Sequence, residues 1–273
     1  MTPAPFPGKI ETARMIFNLV YRYLLFTGAF YFIFYVALKK RFWFAKIQQR
    51  YPDNKNIVRE IKYSFLTIVI FGGIIYLTIW AGKNGLTQVY APIEKYGYAY
   101  LALSVVLMIV LHDAYFYWTH RLLHRKPLFK YVHKTHHLSI NPTPFAAYAF
   151  HPLEAVVEVG IVPVIAFTIP HHALAMSFFA IYSLLLNVLG HLGFEVFPKN
   201  FALHWLFKWH NTSTHHNMHH RLTKCNYGLY FNFWDRVMGT NHPHYEESFD
   251  AVVETRRNAK ASAPQPELIV DQG

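Results

Sequence analysis

The chain alternates long apolar runs with short, strongly polar segments. Residues 15–38 are apolar and aromatic, interrupted by Asn18 and Arg22, and residues 63–81 and 97–118 repeat the pattern. About 20 apolar residues at ~1.5 Å rise cross a bilayer core, so each run predicts a membrane-spanning helix. Two more runs, 153–169 and 173–194, flank Pro170, His171 and His172. They predict a hairpin that dips into the membrane and returns, although Glu154 and Glu158 make its first arm polar for a span.

The polar segments differ in charge. Residues 39–62 carry Lys39, Lys40, Arg41, Lys46, Arg50, Lys55, Arg59 and Lys62, whereas 82–96 carry only Lys83 and Lys95. Positive-inside bias places the first loop in the cytoplasm, the second loop outside, and the N-terminus outside. The third span then emerges into the cytoplasm at His120, and Arg121, Arg125, Lys126 and Lys130 agree. The expected fold is all-α: an integral membrane helical bundle with a cytoplasmic, His-rich helical cap. Three regions follow: an N-terminal transmembrane region over 1–98, a catalytic region over 99–245, and a polar, disordered tail over 246–273.

Composition supports this reading. The chain is 53% hydrophobic and 18% aromatic, and its 15% charged residues fall short of the usual ~25%. The net charge of +11 would suit nucleic acid or anionic lipid headgroups. Because the cations flank apolar runs and no nucleic-acid module is recognisable, membrane topology explains them and no nucleic-acid partner is expected. Cys225 is the only cysteine, which excludes an internal disulfide and Cys-based zinc or iron–sulfur sites. The first apolar run lacks the layout of a cleaved signal peptide, so it is expected to stay as a span.

Of the 18 histidines, all but His242 and His244 lie between His112 and His220. On a helix, residues three and four apart share a face. His120 and His124 are therefore expected to converge, as are His133, His136 and His137, and again His216, His219 and His220. Neutral imidazole is the commonest side-chain metal ligand. These residues exceed the four ligands of a mononuclear tetrahedral site and suit two metal ions with open positions. Asn187 and His191 form a further pair on one helical face at the same expected depth. His216 is preferred to His215 because it reproduces the HxxHH spacing found at His133. His112 is expected to pair with Asp113 or backbone, and His171 and His172 fall on the opposite side.

These motifs resemble those of the fatty acid hydroxylase / sterol desaturase superfamily of membrane di-iron enzymes, in its bacterial sterol-desaturase-like branch. The resemblance rests on DAYFYWTHRLLH (113–124), HKTHH (133–137), HPLE (151–154), HHNMHH (215–220) and NYGLYFNFWDRVMGT (226–240). It implies two non-haem irons at the cytoplasmic face. Their ligands would be His120, His124, His133, His136, His137, His216, His219 and His220. Some relatives add an HxxxH pair, whose place here reads Asn187 to His191, with Asn replacing one His.

The same resemblance implies O2 as co-substrate and hydroxylation or desaturation of an unactivated C–H position in a lipid, whether fatty acyl, sphingoid or sterol-like. Two electrons must come from a separate reductase, since no flavin fingerprint, Cys cluster or haem module is present in the sequence. Asp113, Glu154, Glu195 and Asp235 are candidate partners that orient imidazoles. A membrane zinc hydrolase and a metal transporter are the rival readings. The first needs only three protein ligands, and the second needs ligands strung through the bilayer.

Overall fold

The structure, a computed structural model, describes residues 3–261. Twelve α-helices follow one another among these residues: α1 (Lys9–Tyr31), α2 (Lys39–Phe42), α3 (Asn54–Lys83), α4 (Gly97–Leu123), α5 (Lys126–Leu128) and α6 (Lys134–His137), then α7 (Pro152–Val159), α8 (Ile161–Thr168), α9 (Ala173–Gly190), α10 (Ser213–Leu222), α11 (Phe233–Val237) and α12 (Tyr245–Ala261). The fold is all-α apart from one parallel pair of two-residue strands, β1 (Val89–Tyr90) and β2 (His171–His172).

Four helices are long and apolar enough to cross a membrane: Lys9–Ala37, Asn54–Lys83, Gly97–Leu123 and Ala173–Gly190. The first is α1 continued by a π-helical stretch, Phe32–Ala37. Their outer faces expose Phe17, Leu24, Val69, Val106, Val110 and Phe178, while Thr27, Ser64, Thr67 and Ser104 are buried inside the bundle. A water-soluble protein does not expose so large an apolar surface. Lipid contact accounts for it, and the chain is a multi-pass membrane protein.

The helices run further than the apolar runs suggest. α3 starts at Asn54, where the Asp53 side chain accepts from Asn56 N at 2.7 Å. This N-cap satisfies a backbone donor that would otherwise be orphaned. α4 continues past Trp118 and carries His120 on its last turns.

The predicted hairpin is half right. α9 spans, but the first arm is two eight-residue helices, α7 and α8, that meet at Gly160. At 1.5 Å per residue each is only about 12 Å long, so neither crosses alone. A Cβ on Gly160 would lie 2.7 Å from Tyr115 Oη and 3.0 Å from Val157 O. Tyr115 Oη donates to that same Val157 carbonyl, and the hydroxyl occupies the space a side chain would need. The strand pair joins the 82–96 loop to the turn after Pro170, so both turns lie at the end opposite the long His segments.

Residues on either side of position 98 pack together. Tyr23 Oη and Ser64 Oγ both donate to Phe145 O, Tyr35 Oη donates to Leu192 O, and Gln48 Nε2 donates to Asn217 Oδ1. Buried Lys46 donates to Asn141 Oδ1 and Gly193 O, each at 3.1 Å, and pins the first polar loop beneath the cap.

The tail expectation needs correction. Residues 246–261 belong to α12, whose Tyr245, Phe249 and Val253 are buried against Ala202 and Met218. These positions are four apart and make one apolar stripe on an otherwise polar helix, a signal that average polarity conceals. Residues 262–273 lie outside the described residues.

Candidate metal centre

The histidines gather as two sets. His120, His124, His133, His137 and His219 form one; His136, His191, His216 and His220 form the other. Within each set the candidate ligand atoms lie within 4.8 Å of one another. Both sets consist of imidazoles alone.

This partition corrects one expectation. His133, His136 and His137 do not converge on one point, nor do His216, His219 and His220. Each HxxHH unit keeps its i, i+4 pair together and sends the third ring elsewhere. Successive helical residues point about 100° apart, so His136 and His137 diverge, as do His219 and His220. The first set takes two rings from the earlier unit and one from the later; the second set takes the reverse. His191, at the C-cap of α9, completes the second set, and α4 and its C-cap supply His120 and His124 to the first.

Hydrogen bonds at Nδ1 fix which nitrogen is free. His120 Nδ1 donates to Tyr227 O at 2.8 Å, His219 Nδ1 to Cys225 O at 2.7 Å, and His191 Nδ1 to Asn187 O at 2.8 Å. A carbonyl only accepts, so the proton sits on Nδ1 and Nε2 keeps its lone pair. His133 Nδ1 lies 2.7 Å from Glu154 Oε1, with both groups buried.

The Nε2 atoms then face one another. His133 Nε2 is 3.1 Å from His120 Nε2 and 3.0 Å from His137 Nε2, and His219 Nε2 is 3.1 Å from His137 Nε2. In the second set, His191, His216 and His220 make a triangle of 3.1 Å sides, with His136 at 3.4 Å from His191. Lone pairs this close repel unless a cation lies between them. Imidazoles ~2.1 Å from one metal would stand about 3.0 Å apart at right angles and about 3.4 Å apart at the tetrahedral angle. His124 Nε2 is buried without any hydrogen-bond partner, a further donor atom awaiting a cation.

Burial also keeps the rings neutral. Among residues outside the spans, it pushes His137 down to about 3 and His191 to about 4. His133, His136, His216, His219 and His220 are driven well below the usual imidazole range by burial first and neighbouring imidazoles second. Desolvated, uncharged imidazoles with converging lone pairs fit a pair of metal ions.

The loop after α10 holds the first set in place. Asp235 Oδ1 accepts from Tyr227 N and Thr240 Oγ1, and its Oδ2 accepts from Gly228 N. Asn226 has φ 60° and joins His215 O to His242 N through its side chain. A Cβ on Gly228 would collide with the Phe231 carbonyl. The NYG and Asp235 elements thus deliver the carbonyls of Cys225 and Tyr227 to His219 and His120. Main-chain groups carry no side-chain signature, so the sequence does not announce them.

Of the carboxylates expected to orient imidazoles, Glu154 bonds a histidine of the clusters. Asp113 Oδ1 accepts from Tyr230 N and Phe231 N, and Glu195 Oε2 accepts from Thr214 N and Oγ1. Asn187 donates Nδ2 to Ala147 O and offers its own carbonyl to His191, the bonds of a positioning residue. His112 meets Tyr230 Oη at 2.8 Å instead of Asp113. His215 lies outside both sets, its Nε2 3.3 Å from Asn241 Oδ1. His171 sits in β2 and donates to Ile169 O.

Beside the clusters, inside the bundle, lies a cavity. Leu19, Phe71, Ile75, Phe116, Phe150 and Phe179 are among its apolar walls, and His112, Glu158, Ser183 and Asn187 among its polar ones. Phe116 packs on His120 at 4.9 Å between ring centres, and Phe150 on His136 at 5.1 Å. The same cavity therefore abuts both sets of imidazoles.

Residues 105–240 match the family model described as Fatty acid hydroxylase. The chain is 34% identical over 219 residues to a Delta(7)-sterol 5(6)-desaturase of Gibberella zeae, covering 79% of this chain and 66% of that protein. It is 30% identical to a lathosterol oxidase of Rattus norvegicus (80% and 69%) and 31% identical to one of Homo sapiens (78% and 68%). The chain belongs to the fatty acid hydroxylase / sterol desaturase superfamily. It is accordingly a membrane lipid hydroxylase or desaturase with a metal site, as the histidine motifs predict. The chain spans about two thirds of the length of these relatives. No solved structure matches it significantly.

Proposed function

We propose that this enzyme is an O2-dependent sterol desaturase with two non-haem irons. His120, His124, His133, His137 and His219 would hold one ion, and His136, His191, His216 and His220 the other. When bound, the iron pair supplies O2 activation and the oxidation of an unactivated C–H bond. The observation that carries this reading is the pair of dry, neutral, all-imidazole clusters beside a largely apolar cavity between spanning helices. The names of the relatives direct it to the sterol C5–C6 bond. Removing two hydrogens there consumes one O2, two electrons and two protons and yields two waters.

The protein's part is placement and dryness. Phe116 and Phe150 lay apolar faces between the cavity and the His120 and His136 rings and keep bulk water away. Tyr227 O, Cys225 O, Asn187 O and Glu154 hold the imidazoles in orientation, so the free nitrogens need no rearrangement. The clusters lie at the end of the bundle that carries Arg121, Arg125, Lys126 and Lys130. Positive-inside bias makes that face cytoplasmic, and it is where an external reductase would dock to deliver two electrons.

The donors gather at one end of the bundle, which disfavours a transporter. Their number and pairing disfavour a three-ligand zinc hydrolase. The test is metal analysis of the purified protein joined to turnover of a Δ7-sterol under air and under argon. Two irons per chain and an O2-dependent diene product are expected. Turnover indifferent to O2 and iron would overturn the reading.

A further inference from the structure

Glu158 is a carboxyl group without a partner, placed in a membrane-embedded cavity. It lies on α7 and forms part of the wall that also includes Val159, Ile161 and Val162. It makes no hydrogen bond or salt bridge, although other polar walls of the cavity are committed. His112 is bonded to Tyr230, and the Asn187 amide nitrogen to Ala147. A polar side chain in the membrane interior is costly and is retained where it has a task. A carboxyl that no protein group satisfies is free to accept a hydrogen bond from a ligand.

Its place on the helix sets the scale. Glu154, one turn earlier on α7, bonds His133 of the first cluster. Glu158 therefore stands four residues, about 6 Å, further along the helix from that contact. A lipid whose hydroxyl reached Glu158 would hold a carbon a few bonds away against the clusters. A sterol meets this requirement: its hydroxyl is on C3, and the C5–C6 bond named for the relatives lies a few bonds away. A simple fatty acyl chain carries no such hydroxyl near its reacting carbons.

We propose that Glu158 is a substrate-binding residue that accepts a hydrogen bond from the hydroxyl of a 3-hydroxysterol and so sets which ring bond meets the metal centre. The inference rests on the sterol reading above and adds to it the recognition of the hydroxyl. Glu158 need not touch the metal ligands to act; it fixes the distance between the hydroxyl and the oxidised bond.

The test is equilibrium binding to the iron-loaded protein under argon, without turnover. The probes are a Δ7-sterol with a free 3-hydroxyl and its 3-O-methyl ether. The wild type should bind the hydroxysterol about 2- to 10-fold more tightly than the ether, the range for a hydrogen bond to an uncharged group. Glu158→Leu should bind both at the affinity of the ether, while Glu158→Gln, which still accepts, should keep most of the preference. Iron content and melting temperature identify any variant that fails to fold, and Glu158→Met, close to glutamate in length, stands in for Leu in that case.

A hydroxyl preference that survives undiminished in Glu158→Leu or Glu158→Met overturns the role of Glu158 and leaves the sterol reading standing. A wild type that binds neither sterol while turning over another lipid overturns both.

Discussion

His219 and His220 are neighbours in sequence but serve different clusters. His219 Nε2 stands 3.1 Å from His137 Nε2, whereas His220 Nε2 stands 3.1 Å from His191 Nε2. α10 therefore braces both sites at once, and losing either ring should disturb mainly one of them. With one iron proposed for each cluster, His219→Ala is expected to remove the ion of the His120 site and spare that of the His191 site; His220→Ala should cause the converse loss. Iron analysis together with a spectroscopic signature of coupled irons checks this. Equal, complete loss of both irons in each variant would mean that the clusters do not load separately.

Glu154 is buried, bonds His133 Nδ1 through Oε1, and keeps Oε2 without a partner. Groups that orient a ligand imidazole typically contribute about 10- to 100-fold in metal affinity or activity. Glu154→Ala should lose iron on mild chelation at a rate or affinity changed by that factor, and Glu154→Gln should lose less. Chelator competition on the folded protein measures it. An unchanged chelation curve would reduce Glu154 to a packing residue.

Asp235 tests the loop that carries the main-chain acceptors. Its carboxylate satisfies the Tyr227 and Gly228 amides and the Thr240 hydroxyl while fully buried. Leaving even one such donor unpaired costs about 1–3 kcal/mol. Asp235→Ala should therefore reduce stability by at least that much and should also weaken iron binding, because Tyr227 O and Cys225 O would no longer be held on His120 and His219. Thermal melting and metal content read the two effects together. A variant that melts lower yet holds iron normally would uncouple the loop from the site.

Spacing made much of this legible. Apolar runs located the spans, since a spanning helix must satisfy its own backbone and present an apolar surface. Imidazoles at helical offsets pointed to rings that the fold gathers into two clusters, with His216 inside one and His215 outside both. What spacing did not convey was the direction of each ring. Reading HxxHH as one convergent face ignores the 100° step between His136 and His137, and only the packing of α4, α9 and α10 around them decides which ring meets which partner. The break at Gly160 was hidden for a similar reason. The run 153–169 is apolar enough to suggest one arm, and the close approach of the Tyr115 hydroxyl to Gly160 comes from a distant helix that local sequence does not announce. α12 was masked by polarity, because three buried side chains suffice to dock it.

The neutrality of the imidazoles gives the centre a definite pH response. His191 ordinarily titrates at 6.5; burial lowers it to about 4 in the folded protein, and His137 falls to about 3. Above pH 6.5 these rings are uncharged in both folded and unfolded chains, so folding is not penalised. As the pH drops through 6.5 the unfolded chain takes up protons that the folded cap refuses, and stability declines until the folded values are reached. Metal binding shifts the same way, since each ion competes with protons for the same lone pairs. The metal-free protein should therefore melt progressively lower between pH 6.5 and about 4, and the iron-loaded protein should release its metal in that window. Melting and dialysable iron measured across pH 8 to 4 would check this; melting that improves on acidification would contradict the burial of neutral imidazoles.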